Sequence, residues 1–326
     1  MTCENSLAHS KDSSFVLVNY LLLLGVGLIW GSQFLLNKIA LEGFSASLIA
    51  AGRVAIGTAT LSIILAIGFE KSGQAKPQRP FWHFFPDFIL IGLLEATIPF
   101  LLVAWAQERL ASSVTAILIG TVPLFATLLE ALFIKDSDIS AKKVVGVTFG
   151  FFGIVVLVGH ELFAARSAAA VADSSSILLP ALAVLASALS FAAAMLLIRM
   201  RLSRLGPTHA AQGILLGAAI TTVPLALWLA NPWAMTAFHP SLHALMALGL
   251  LGIFCGGLVY TLFVVLINRA GPSFASMSNY LVPLVGAFIG IAFSGEKLTL
   301  ALICSLTLIL FSLWLSSGKP KAEAGS

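Results

Sequence analysis

Charge is what this chain has least of. Asp, Glu, Lys and Arg make up 10% of its 326 residues, where a water-soluble domain carries about 25%. So little charge cannot cover a water-facing surface, and a soluble globular fold is excluded. Cysteine is scarce too. Cys3, Cys255 and Cys304 stand far apart, with no Cys-x-x-Cys pair and no His/Cys cluster. Neither a zinc centre nor a redox centre is expected, and no cofactor is. A Ser/His/Asp set, a His-Glu-x-x-His motif, a phosphate-binding Gly-rich loop and an ATPase segment are all missing. The chain is therefore not read as an enzyme, and any transport it performs alone must draw on a gradient. The net charge of +4 does not point to nucleic acid, because the basic residues lie in short turns between apolar runs.

Apolar sequence fills the rest. Hydrophobic residues make up 59% of the chain, and the mean hydropathy is +1.02. A helix crosses a bilayer core with about 20 apolar residues. Ten runs qualify, at 16–38, 46–68, 84–104, 112–134, 142–160, 178–199, 208–230, 243–266, 273–294 and 298–317. In lipid a segment must satisfy its own backbone hydrogen bonds, which makes these runs helices and not strands. The first run follows a polar segment and ends without a small-residue cleavage site, so it reads as a retained helix. The longer polar breaks are 70–80 and the Ala- and Ser-rich 161–176.

Lys and Arg orient the spans. With the N-terminus in the cytoplasm, 13 of the 18 fall in inside segments and 4 in outside segments, with Arg53 inside a helix. That asymmetry fits ten spans with both termini cytoplasmic. A shift of 160 also lays one half on the other: Arg109 falls on Arg269, Ser113 on Ser273, Val122-Pro123-Leu124 on Val282-Pro283-Leu284 and Phe133 on Phe293. The acidic turn residues Asp136 and Glu296 keep the same spacing. Five helices per unit is an odd number, so the second unit enters the membrane upside down. Inverted repeats of this kind are an architecture of secondary carriers. The expected fold is an all-α integral membrane protein of ten transmembrane helices in two inverted five-helix repeats. Its parts are a cytoplasmic tail (1–15), a first repeat (16–160), an external linker (161–177), a second repeat (178–317) and a cytoplasmic tail (318–326).

Glu95 is the sharpest candidate for function. It sits in ILIGLLEATIPFLL, mid-helix, where a carboxylate costs about 2.5–3.5 kcal/mol on insertion scales. It serves either as a substrate counter-ion or proton-coupling group, or as one half of a structural ion pair. Arg53, at similar depth on the preceding antiparallel helix, is the partner for that second reading. Glu130 closes the fourth helix beside Lys135, and Lys38 is expected to snorkel to the interface. Trp30, Gln33 and Asn37 share one face of the first helix. Tyr260 lies in the eighth run, and Ser276, Asn279 and Tyr280 in the ninth. These residues line a cavity or serve as interhelical glue. Pro99, Pro123 and Pro283 interrupt helices and are candidate hinges.

The first helix, with IWGSQFLLNKIALEGFSASLIAAGR, resembles the opening of the EamA-type transporters of the drug/metabolite superfamily. Trp30-Gly31, Lys38 and Arg53 carry that likeness. Thr121-Val122-Pro123-Leu124, Gly146, Pro283 and Gly295-Glu296-Lys297-Leu298-Thr299 extend it, so that it covers Leu21 to Ser317. One departure is Lys135-Asp136-Ser137-Asp138, where the family more often has Glu followed by Leu. The resemblance implies a ten-helix inverted-repeat carrier in the bacterial inner membrane that exports or exchanges small metabolites, amino acids or amphiphilic compounds among them. Its partners would be a small-molecule substrate, the lipid bilayer and protons as coupling ions, in a monomer or homodimer and without nucleic acid. The alternatives are a passive channel or facilitator and, more remotely, a membrane-embedded enzyme or a non-transporting receptor.

Overall fold

The architecture was obtained as a computed structural model. It describes residues 2–67, 81–133, 141–168, 175–202, 205–230, 240–270 and 278–316. The described residues are helical, with no strand among them. The first half holds α1 (Thr2–Ala40), α2 (Ala46–Ala66), α3 (Phe85–Gly92), α4 (Ile98–Ala106), α5 (Ser112–Ile119), α6 (Val122–Phe133) and α7 (Ala141–Ala168). The second half holds α8 (Ser175–Leu197), α9 (Pro207–Ala230), α10 (Leu242–Leu250), α11 (Val259–Ala270), α12 (Ser278–Ser294) and α13 (Leu300–Ser316). α3 runs into α4, and α10 into α11, through π-helical turns at Leu93–Thr97 and Leu251–Leu258.

With α3–α4, α5–α6 and α10–α11 each counted as one, seven of the described helices are long and apolar enough to cross a membrane, and three shorter apolar ones cover Val145–Glu161, Leu281–Ser294 and Leu300–Ser312. α1 begins at Thr2, so the polar segment before the first expected span is helical as well.

Serines start two of the helices. Ser45 accepts from Leu48 N–H before α2, and Ser241 accepts from Ala244 N–H before α10. Each thereby satisfies one of the donors left free in a first turn. Pro99 shapes α3 and α4. Its ring opposes the carbonyl four residues back, that of Glu95, and the backbone opens into the π turn instead of breaking. Carbonyls of this turn and the one before it find side chains: Thr97 Oγ1 donates to Gly92 O at 3.4 Å, and Ser190 Oγ donates to Leu94 O at 2.7 Å.

The packing follows an exchange of halves. α7 lies against α13, α2 against α9, and α5 against α12, each across the middle of the sequence. α1 packs on α12 as α8 packs on α5 and α6. α2 packs on the 251–258 turn as α9 packs on α3, and α1 on α11 as α8 on α4. Small residues permit the closest approach. A Cβ on Gly57 would stand 3.0 Å from the Gly256 carbonyl carbon, and one on Gly217, 160 residues on from Gly57, would meet the Phe88 backbone. Dispersion and close packing, not solvent exclusion, drive such contacts in lipid.

Polar bonds close the two ends of the bundle. At one end Gly295 turns with φ +64°, a conformation that costs any side chain with a Cβ. The Glu296 carboxylate is thereby set on the start of α5, accepting from Ser112 N–H at 2.7 Å and Ser113 N–H at 2.9 Å. Negative charge suits the positive end of a helix dipole. At the same end Gly43, after α1, abuts Pro240 and Ala244. At the opposite end Arg201 pairs with Asp87 at 2.7 Å, Arg199 with Glu130 at 3.0 Å, and Arg269 Nε donates to Asn19 at 3.0 Å. Glu130 thus has Arg199 as its partner. Lys135, its expected partner, lies outside the described residues.

Candidate functional site

Midway between those ends, residues from α1, α2, the α3–α4 unit and the α10–α11 unit converge on one polar cluster. Arg53 is its centre and is 6% exposed. Its Nη2 donates to Gln33 Oε1 at 2.6 Å and, more weakly, to the Cys255 carbonyl at 3.5 Å. The guanidinium lies 3.8 Å from the centroid of the Phe100 ring, a cation–π contact. Cys255 belongs to the 251–258 π turn, so the second π turn, like the first, gives a carbonyl to a neighbouring helix. The Cys255 thiol donates to Ile29 O at 3.2 Å.

Glu95 sits on the other π turn. Its carboxyl faces the Tyr260 hydroxyl, while its Oε2 is buried without a partner. The expected ion pair is not formed: Glu95 and Arg53 do not come within 4.0 Å, and Arg53 is held by neutral groups instead. Similar depth on adjacent helices was legible from the sequence. The direction in which each side chain points around its helix was not.

Aromatic rings wall the cluster. Trp30 meets Tyr260 edge-on at 6.0 Å, and Phe263 at 5.2 Å. On the far side Phe100 meets Phe191 at 6.4 Å. The 160 shift relates these walls, since it carries Phe100 onto Tyr260, and a shift of 161 carries Trp30 onto Phe191. The shift of 160 carries Glu95 onto Cys255 and Arg53 onto Gly213. The rings are therefore echoed across the halves, while both charged residues come from the first half.

Trp30, Gln33, Glu95, Arg53 and Tyr260 are thus brought together. Asn37 is not. One turn beyond Gln33, it is buried and donates to Gln107 Oε1 at 2.8 Å. Gln107 in turn donates to Phe34 O at 2.8 Å. Lys38 reaches Gln107 O at 3.3 Å and Leu110 O at 3.4 Å. Its ammonium caps the turn after α4 where snorkelling to the interface was expected. Ser276 lies outside the described residues, as do the side chains of Asn279 and Tyr280. Pro99 flanks the Glu95 turn, Pro123 opens α6, and Pro283 lies inside α12 against Gly120. No site role was read in the sequence for Phe100, Cys255, Gln107 or Glu296. The internal repeat could have found the first two, as counterparts of Tyr260 and Glu95.

A cluster of this composition can hold a polar solute between rings. A model of the EamA-like transporter family matches residues 17–159 and again 178–318. The chain belongs to the EamA-like transporter family. This EamA-like protein is a multi-pass membrane transporter and not an enzyme. It is 23% identical to the uncharacterized transporter YoaV of Bacillus subtilis, over 90% of this chain and 95% of that one. It is 25% identical to the uncharacterized inner membrane transporter YedA of Escherichia coli, over 87% and 86%. A solved crystal structure, 18% identical, shares the fold with a TM-score of 0.61 over 92% of this chain and 98% of the other.

Proposed function

We propose that this EamA-like transporter carries small organic metabolites, amino acids or amphiphilic compounds, by alternating access, as an exporter or proton-coupled exchanger. The observation that carries the reading is the polar cluster itself. A buried cation and a half-buried carboxylic group, not paired with each other, stand mid-span among aromatic rings, where intramembrane ionisable groups mark substrate and proton pathways. Two inverted repeats, 16–160 and 178–317, joined by an external linker at 161–177, supply ten spans with short cytoplasmic tails at 1–15 and 318–326. The exchange pattern of helix contacts supports this arrangement. So does the bundle's end-to-end sorting: the turns near Gly43, Ser112 and Glu296 gather at the end assigned to the outside, and Asn19, Asp87, Glu130 and Arg269 at the cytoplasmic end. Trp30, Gln33, Glu95 and Tyr260 contact the substrate in this reading, with Ser276, Asn279 and Tyr280 completing the site from the second half. Pro99, Pro123 and Pro283 bend as the halves exchange. The membrane is the bacterial inner membrane, and the unit is a monomer or a homodimer.

Counterflow in proteoliposomes tests it. Labelled metabolite should exchange saturably across the membrane, and its rate should change with pH. Gln at position 95 mimics a protonated carboxyl at every pH. Glu95→Gln should therefore insert normally and transport at a pH-independent rate resembling that of the wild type in acid. A variant that keeps the wild-type pH profile assigns Glu95 a structural role. Single-channel conductance in place of counterflow would favour a channel.

A further inference from the structure

The Arg53 guanidinium keeps its charge at every physiological pH, yet its partners are all neutral: Gln33 Oε1, the Cys255 carbonyl and the Phe100 ring face. Its hydrogen bonds run through Nη2, and its Nε–H is buried with no partner. A buried charge is retained where an opposite charge answers it. Glu95 does not supply that charge by contact, and its Oε2 is itself unpartnered. We propose that the cargo brings the counter-charge: the site takes an organic carboxylate, whose oxygens accept from Arg53 Nε–H while its apolar body lies against Trp30, Phe100 and Tyr260. This rests on the transport reading above and names its substrate class.

Charge matching selects a carboxylate over a phosphate. With the Glu95 carboxyl protonated, the one cation of the cluster is balanced by a single negative charge, whereas a phosphate dianion would leave an excess beside Glu95. The flat Nε edge of a guanidinium fits the plane of a carboxylate. The internal repeat adds direction. Counterparts of Arg53 and Glu95 in the second half are Gly213 and Cys255, so a bound carboxylate has one orientation and no mirrored alternative across the halves.

Thermal unfolding of the purified protein, at fixed ionic strength, tests this with matched probes: 3-phenylpropionate, 3-phenylpropionamide and 3-phenylpropylammonium, with butyrate as a smaller acid. Binding to the folded state raises Tm. The carboxylate should raise Tm and bind about tenfold more tightly than the amide, the ratio of a charge-assisted to a neutral hydrogen bond. The ammonium compound should give no shift. Arg53→Gln should abolish the preference, and Arg53→Lys should keep part of it. The wild-type series decides the question even where Arg53→Gln fails to fold. Equal binding of acid and amide overturns the proposal, as does the absence of a shift from either acid. So does inorganic sulfate matching 3-phenylpropionate, since the counter-charge then needs no organic body. Counterflow above protein-free liposomes separates the two claims. Stabilisation by the acid without any counterflow keeps the carboxylate site and removes the transport reading. Saturable counterflow of amide and ammonium compounds with no preference for the acid keeps transport and removes the carboxylate site.

Discussion

Gln33 shows how a single amide can decide the state of a membrane-buried cation. It takes the shortest hydrogen bond that Arg53 makes, at 2.6 Å. Without it the guanidinium keeps only a weak carbonyl contact and a ring face. Leaving a buried donor unpaired costs about 1–3 kcal/mol. Gln33→Leu should therefore lower stability by about that amount and release Arg53 from its pose, which detergent unfolding and counterflow measured together would reveal. A variant as stable as the wild type would mean that Arg53 finds Glu95 once Gln33 is gone. The sequence had marked both ends of this interaction, Gln33 as a cavity-face residue and Arg53 as an ion-pair partner, but not the bond between them. Residue types and depths can be counted along a helix. Side-chain direction depends on how neighbouring helices rotate, and a π turn adds a rotation that no 3.6-residue count includes.

That rotation belongs to the element. The turn at Leu93–Thr97 stands directly before Pro99, and it is where Glu95 departs from α-helical register. Pro99→Ala removes the clash that opens the turn and restores a backbone N–H. Stability should hold or rise, because Pro is about 3 kcal/mol less favourable than Ala inside a helix. Transport should fall, because Glu95 swings away from Tyr260 as the register closes. Loss of stability with transport scaling to the folded fraction would show that packing, through Ser190 on Leu94 O, sets the turn instead. The α12–α13 turn offers a second case. Glu296 covers two N–H groups of α5, and Glu296→Ala should cost about 1–2 kcal/mol as a lost helix cap with charge, seen as a lowered Tm. In sequence terms Gly295-Glu296 was a family mark without a mechanism. The structure supplies one, since a left-handed glycine aims a carboxylate at a helix start more than 180 residues away in the chain. Periodicity cannot see a contact of that range.

At the scale of the whole molecule the helical class, the internal repeat and the Glu95 region were all legible, because apolar runs and a 160-residue echo are written along the chain. The state of the bundle was not, since it depends on which interfaces between halves are closed. Two such interfaces are closed at once. Gly43 meets Ala244 where α1 ends against α10, and Arg201 meets Asp87 where α8 ends against α3. Exchange of the halves relates these two interfaces, and the cluster lies between them. Alternating access requires each to part in turn, and a continuous pore requires neither to close. The Arg201–Asp87 pair is half exposed, at 49% and 22%, and such pairs are worth only about 0–1 kcal/mol. Asp87→Asn should therefore shift the population toward the state open at the Asp87 end by no more than about fivefold, read as faster labelling of a cysteine at Gln33 from that side. The other end can be locked outright. A Cβ on Gly43 would lie 2.7 Å from that of Ala244, and a separation of about 3.8 Å suits a disulfide, a shift that helix ends can absorb. Oxidised Gly43→Cys/Ala244→Cys protein should stop counterflow, and reductant should restore it. Undiminished flux in the cross-linked protein would mean that cargo passes without the Gly43–Ala244 interface opening, and the exchange of halves would lose its role in transport.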